Sequence, residues 1–506
     1  MTPPSTERRN IADYFLDARV REGKGARRAL LTGSGALTYA EVQFLANRFG
    51  NALARAGVEP EHRVIVALPD GPEFVAALFG ALKLGAVGVM ANPGLPPQEI
   101  EWLLEYTRAR AVVIHRDAAA PFLAAVRASR FQPATLVIGT EETDRSIAVA
   151  LETLDTFPAH ADDPAIWLFS GGTTGRPKAV LQTHRSFRNT TECYAQGVIR
   201  YTEDDVTLSV PKLYFGYATG SNLFFPFAAG ACSVLFPEPA TADALFEQIR
   251  RHRPTILINV PTMVHKMVTH PEARSQDLSC LRLSTSAGEA LPAELYRMWK
   301  ETFGVELLDG LGTAEMWHIF ISNRIGCVRP GTLGTAVPGF DIKACDDEGR
   351  ELPRGETGWL WVRGDSRAIG YWQHMEKTAQ AFRGAWYVTG DLVRIDDEGV
   401  VTYCGRGDEL LKVSGKWVAP QEVEGCLLEH PDVLEAAVAG VPDANGLVKP
   451  RAYVVLREAR SGMDEVLKSF VRERLEPYKH PREVVVVDSL PRTHLGKVDR
   501  GKLRKA

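Results

Sequence analysis

The 506-residue sequence predicts an α/β protein with a large N-terminal domain of parallel, helix-covered sheets and a small α+β C-terminal domain. Three observations carry this. Strand-like apolar runs alternate with amphipathic helical stretches, the pattern of parallel strands covered by helices. The length exceeds what one hydrophobic core serves. The pattern then resets near Arg406 to Asp408, and the C-terminal remainder is about the smallest size for an independent domain.

Taken in order, Thr38 and Glu41 form a capping box, and Val42, Leu45, Phe49 and Leu53 recur at helical spacing. Gly57 closes that helix. Arg63 to Leu68 reads as a buried strand, Glu73 to Leu84 as a helix, and Ala111 to Ile114 as another strand. Ala165 to Phe169 is a further apolar strand, ending in a glycine-rich loop. Beyond the boundary, Glu422 to Leu428 and Asp464 to Leu475 read as helices, Arg451 to Leu456 and Glu483 to Val487 as strands. The predicted domains are residues 1–407 and 408–506.

Composition sets limits on function. Apolar residues at 45% and charged residues at 24% are ordinary for a globular protein. A net charge of −4 argues against nucleic acid as a partner, and Arg250 to Arg253 reads as the solvated end of a helix. The N-terminus lacks the apolar core of a secretory signal. The most apolar stretch, Phe74 to Met90, is interrupted by Lys83 and three glycines and is short for a membrane span. Seven cysteines without a Cys-x-x-Cys pair point to a reducing compartment and no structural zinc. The expectation is a cytoplasmic protein with no membrane partner.

The most informative segment is Ser170-Gly-Gly-Thr-Thr-Gly-Arg-Pro-Lys-Ala-Val180. Gly171, Gly172 and Gly175 let backbone N–H groups turn inward, Ser170, Thr173 and Thr174 add hydroxyls, and Lys178 adds positive charge. Those are the groups that hold a polyphosphate. Arg176 and Pro177 separate Gly175 from Lys178, so this is not a Walker A loop, where Lys follows the last Gly directly. The bland and less favoured reading of the segment alone is a polar, glycine-rich surface hairpin.

Together with further motifs downstream, it resembles the adenylate-forming superfamily: acyl-CoA synthetases, adenylation domains of peptide synthetases and firefly-type luciferases. Ser286 to Pro292, with Gly288, Glu289 and Ala290, is similar to that family's adenine-side motif. Leu308 to Glu315, with Asp309, Gly310 and Thr313, is similar to its adenine and α-phosphate segment, which ends in a magnesium carboxylate. Tyr387 to Asp391 resembles the ribose motif, Tyr403 to Gly415 the hinge motif, and Pro491 to Lys497 the C-terminal lysine motif. The order and spacing agree over nearly the whole chain.

The resemblance implies ATP, magnesium and a thiol as partners of a carboxylic acid, and a small C-terminal domain that rotates about Asp408 between two half-reactions. A carboxylate is a poor acyl donor; attack on the α-phosphate of ATP turns it into an acyl adenylate with AMP as leaving group. Catalysis then rests on neutralising and aligning negative charge. Lys178 and the loop would hold the β- and γ-phosphates, Glu315 magnesium, and Asp391 the ribose, with Arg406 also among the ATP contacts. Lys497 would contact carboxylate and α-phosphate; without its motif it reads as one more lysine of a basic tail. Lys412 would touch the acyl adenylate, and Ser414 and Gly415 would line the pantetheine tunnel.

Two positions depart from the family pattern. Ala314 stands where relatives carry Thr, leaving Thr313 as the available hydroxyl, and Leu311 replaces a Tyr against adenine. Tyr214 to Gly220 and Glu315 to Phe320 resemble the benzoate-CoA ligase group. There Phe215, Tyr217 and His318 would enclose a flat ring, with Gly310, Gly312 and Ala218 keeping the slot thin. The other reading of His318 is a core histidine satisfied by a backbone carbonyl. The expected activity is an aryl acid-CoA ligase acting on benzoate, 2-aminobenzoate or a hydroxybenzoate. No carrier domain is read within the chain, which favours coenzyme A over a separate carrier protein. A non-catalytic relative is the remaining alternative, opposed by the presence of Lys178, Glu315, Asp391, Arg406 and Lys497.

Overall fold

A computed structural model describes residues 10–171, 176–407, 410–413, 416–442, 448–458, 460–491 and 498–504. The first sheet has six strands, in the order Ala134–Ile138, Ala111–His115, Arg63–Ala67, Val87–Met90, Pro164–Ser170 and Lys178–Thr183. The first five run parallel, and the last turns back antiparallel at the edge. Arg63–Ala67 and Ala111–His115 read as unbroken apolar runs because helices cover both faces.

The expected helices form. Thr38 Oγ1 accepts from the Glu41 amide at 3.3 Å, Glu41 accepts from the Thr38 amide at 2.7 Å, and helix Tyr39–Arg55 begins there. Gly57, at φ 79°, carries the chain away from its end. In helix Pro72–Lys83 every residue from Phe74 on is buried, and strand Val87–Met90 comes next, so this apolar stretch is core. The Lys83 ammonium meets Asp17 at 2.8 Å, and Gln43 and Thr156 also donate to Asp17. Among the described residues no helix is long and apolar enough to cross a membrane.

The second sheet has nine strands: Thr335–Ala336, His318–Ser322, Leu307–Thr313, Leu283–Ser286, Ile256–Asn259, Val206–Ser209, Cys232–Val234, Arg28–Thr32 and Gly35–Thr38. Its centre is parallel and its two ends are antiparallel. One hydrophobic core runs from Ile11 to Val401 and joins both large sheets.

A third sheet is wholly antiparallel, made by Asp341–Cys345, Thr357–Arg363, Phe382–Arg383, Trp386–Ile395 and Val401–Arg406. It adds to the expected parallel sheets, and the cause is local. Asp346-Asp-Glu-Gly349 and Asp396-Asp-Glu-Gly399 are the same turn used twice. In each, the glycine amide donates to the first Asp carbonyl and the glycine sits at positive φ (86° and 78°), reversing the chain between neighbours.

After residue 410 a three-stranded sheet forms from Val433–Pro442, Val448–Leu456 and Glu483–Val486. It packs with helices Pro420–Leu428 and Met463–Arg472 around Val423, Leu427, Val438, Val454, Leu467 and Val471. Among the described residues, the two hydrophobic clusters of this region draw no buried residue from earlier in the chain.

Candidate active site

The phosphate-type loop joins the last two strands of the first sheet, with Ser170 paired to Lys178. Ser170 is half-buried and Gly171 exposed; Gly172, Thr173, Thr174 and Gly175 lie outside the described residues. The Lys178 ammonium lies 4.2 Å from the centre of the Tyr371 ring. Burial lowers the Lys178 pKa, the Glu315 charge opposes that, and Lys377 and Arg406 reinforce it.

Glu315 sits on the single turn Ala314–Met316 at the tip of the hairpin Leu307–Thr313 and His318–Ser322. It is 3% exposed, and one carboxylate oxygen accepts from the Tyr371 hydroxyl at 2.8 Å. Gln182, from the phosphate-loop strand, donates to the Ala314 carbonyl at 2.6 Å, and Ala368 N donates to the Glu315 carbonyl at 2.8 Å. Thr313 accepts from Met316 N at 3.3 Å, so its hydroxyl caps the turn and keeps its proton available to another acceptor.

Asp391 and Arg406 face each other across two antiparallel strands at 3.5 Å. Burial raises the Asp391 pKa, Arg406, Thr389 and Tyr403 oppose this, and the Glu315 charge adds to it. Lys178, Glu315, Asp391 and Arg406 therefore share one electrostatic neighbourhood.

Gly288 and Ala290 are exposed on the loop after strand Leu283–Ser286, Gly288 at φ 89°. The Glu289 carboxylate between them accepts from Thr262 N at 3.1 Å and Thr262 Oγ1 at 2.7 Å, fastening the start of helix Pro261–Val268. Asp309 is paired in register with Ser286. Burial holds its carboxyl well above the ordinary carboxylate range, and its Oδ1 is buried without a hydrogen-bond partner. Such an atom is open to a water or a ligand donor.

On the other side of the Glu315 turn lies a cluster of rings. His318 is 6% exposed, with ring-centre distances of 4.7 Å to Phe225, 5.2 Å to Tyr217 and 5.4 Å to Tyr194. Its Nε2 lies 3.0 Å from Ser221 Oγ and 3.1 Å from the Tyr217 carbonyl, while Nδ1 is buried without a partner. One ring nitrogen thus faces a backbone carbonyl and a serine hydroxyl. Burial pushes its pKa down to about 3, so the ring is neutral.

The Tyr217 hydroxyl is 2.7 Å from Thr285 Oγ1, Ala218 is fully buried, and Phe215 is half-buried against Tyr214 at 4.7 Å. Space at Gly310 and Gly312 is taken by their own hairpin partner. A Cβ at Gly312 would stand 2.3 Å from the His318 carbonyl oxygen, and one at Gly310 2.9 Å from the Ile321 oxygen. These glycines serve strand pairing first. The glycine that sets the ring position is Gly220, where a Cβ would stand 2.4 Å from His318 Cδ2.

Residues 16–372 match the family model described as AMP-binding enzyme, and residues 422–497 match the AMP-binding enzyme C-terminal domain. The chain belongs to the AMP-binding enzyme family. It is 40% identical to a benzoate-CoA ligase of Thauera aromatica, an alignment covering 100% of this chain and 98% of that protein. Among solved structures it is similar to the anthranilate CoA ligase AuaEII in complex with anthranoyl-AMP, at 38% identity and TM-score 0.93, covering 98% and 96% of the two chains. It is also similar to a benzoate CoA ligase from Burkholderia xenovorans LB400, at 39% identity and TM-score 0.91, covering 98% and 99%.

In this AMP-binding enzyme the donor set suits magnesium. Among the described residues no cluster of three His, Cys, Asp or Glu side chains could hold a metal. Magnesium needs none, since it keeps waters and substrate phosphate oxygens around one or two carboxylates. Glu315 is such a carboxylate. Asp408, Ser414, Gly415 and Lys497 lie outside the described residues, and of Lys412 only the backbone is described. Sequence reasoning missed Tyr371, Gln182, Ser221 and Tyr194; each acts through a contact distant in the chain, and no local pattern marks it.

Proposed function

We infer that this chain is an ATP-dependent aryl acid-CoA ligase, converting benzoate or a substituted benzoate such as 2-aminobenzoate to its CoA thioester through an aryl adenylate. The observation that carries this is that the strand leaving the Glu315 turn opens with His318. Groups suited to a magnesium nucleotide, Lys178, Glu315 and Asp391, therefore stand beside a ring cluster of Tyr217, Phe225 and His318. Full-length similarity to ligases of benzoate and anthranilate supports the choice of acid.

In the first half-reaction a carboxylate oxygen attacks the α-phosphorus, and the bond to pyrophosphate breaks. Ser170 and Lys178 hold the β- and γ-phosphates, the Asp309 Oδ1 takes an adenine donor, and Asp391 takes the ribose hydroxyls. Glu315 would hold magnesium, which when bound would supply neutralising charge to the phosphate oxygens. The His318 Nδ1 faces the ring substituent. In the second half-reaction the CoA sulfur attacks the acyl carbon, the bond to AMP breaks, and the thiol proton is released. Lys412, Ser414 and Gly415 serve that step after the C-terminal domain turns about Asp408.

The test is incubation of the protein with ATP, magnesium, CoA and a panel of benzoate, 2-aminobenzoate, hydroxybenzoates, cinnamates and fatty acids, with AMP and thioester followed by mass. An aryl-CoA product is expected. Pyrophosphate release with a bound aryl adenylate and no CoA ester would transfer the assignment to carrier-protein loading.

A further inference from the structure

We propose that Tyr371 is a positioning residue for adenylation, seating the Lys178 ammonium on its ring face while its hydroxyl fixes the Glu315 carboxylate. The proposal rests on the assignment of adenylation to this site. Lys178 and Glu315 carry opposite charges in one buried neighbourhood. Closed directly on each other, they would form an ion pair that ATP and magnesium must first break. Tyr371 keeps them apart while serving both: the ring lies 4.2 Å from Nζ, and the hydroxyl donates to one Glu315 oxygen at 2.8 Å. A ring face attracts a cation without neutralising it. A single hydrogen bond to one carboxylate oxygen leaves the second oxygen for a metal.

The orientation of the hydroxyl is determined by its neighbours. The Tyr371 hydroxyl donates to Glu315, and the Tyr387 hydroxyl interacts with it. The backbone is indexed to the phosphate-loop strand: Val180 bridges Tyr371, Leu181 N donates to the Gly370 carbonyl at 3.0 Å, and Trp372 N donates to that of Ala179 at 2.9 Å. Tyr371 N also donates to Thr378 Oγ1 at 3.0 Å. The ring is thus carried by the same sheet edge that carries Lys178.

Tyr371→Phe keeps the ring and removes the hydroxyl; Tyr371→Leu removes both. For Tyr371→Phe the expected result is a roughly tenfold rise in the magnesium concentration that half-saturates aryl acid-dependent pyrophosphate exchange. The KM for the acid, and thioester formation from supplied aryl adenylate, stay at wild-type values. Tyr387→Phe should move magnesium dependence in the same direction by less, and Tyr371→Leu should add a rise in the KM for ATP. Calorimetry of ATP binding with and without magnesium, in the absence of acid, reads the same effect independently of turnover. If the wild type adenylates no aryl acid, the functional assignment fails while the calorimetry still decides the role of Tyr371. A Tyr371→Phe protein that binds magnesium and ATP as the wild type does, or that loses both half-reactions equally, overturns the proposal.

Discussion

At the residue scale, Gly220 and His318 form a matched pair. The ring occupies the volume that any other residue at 220 would fill with its Cβ. Gly220→Ala would push the imidazole toward the ring cluster and misdirect its free Nδ1. Overpacking of this kind costs about 1–3 kcal/mol, so the aryl acid KM should rise roughly tenfold or more with the KM for ATP unchanged in steady-state kinetics. His318 and Tyr217 were legible from the motif they occupy. Gly220, Ser221 and Tyr371 were not, because their importance lies in who touches them across 97 and 56 positions of sequence. Glu289 shows the converse: its motif marked it for the nucleotide, yet its carboxylate is engaged by Thr262 at a helix start.

At the element scale, period and capping read well wherever a helix or strand announces itself locally. Helix Tyr39–Arg55 with its capping box, and the buried run Phe74 to Lys83, are examples. The antiparallel third sheet was missed although its signal was present, in two identical Asp-Asp-Glu-Gly turns. Helix His184–Thr190 makes a pH prediction. His184 Nδ1 accepts from the Ile11 amide at 3.1 Å, and burial pushes the His184 pKa down to about 3. An unfolded histidine gains its proton near pH 6.5. Between those values the unfolded chain binds the extra proton, so stability is complete above about pH 6.5 and is lost as pH falls, by about 1.4 kcal/mol per unit. His318 acts in the same sense, and Asp70, raised by burial to about 6, in the opposite one. Comparing denaturation midpoints at two acidic pH values, His184→Gln should show a shallower pH dependence than the wild type by about that slope.

At the scale of the whole molecule, the α/β architecture and the full-length family relationship were both readable, because widely spaced motifs recur in a set order. The alternation of domain positions was implied by resemblance, since periodicity says nothing about motion. Its test lies in the second lysine. If Lys497 serves only the first arrangement, Lys497→Ala should abolish aryl adenylate formation and leave intact the CoA ester formed from supplied aryl adenylate, measured by rapid quench. Equal loss of both steps would remove that division of labour.

The continuous core from Ile11 to Val401 also has a consequence for how the chain is made. Strand Arg28–Thr32 finds its parallel neighbour only at Cys232–Val234, and pairing across such separations is slow because loop closure precedes any gain from contact. A ribosome must deliver nearly half of the chain before Arg28–Thr32 is covered on its parallel side, so the nascent N-terminal region carries exposed apolar surface through that part of synthesis. The region after residue 410, with clusters of its own, is free of that wait.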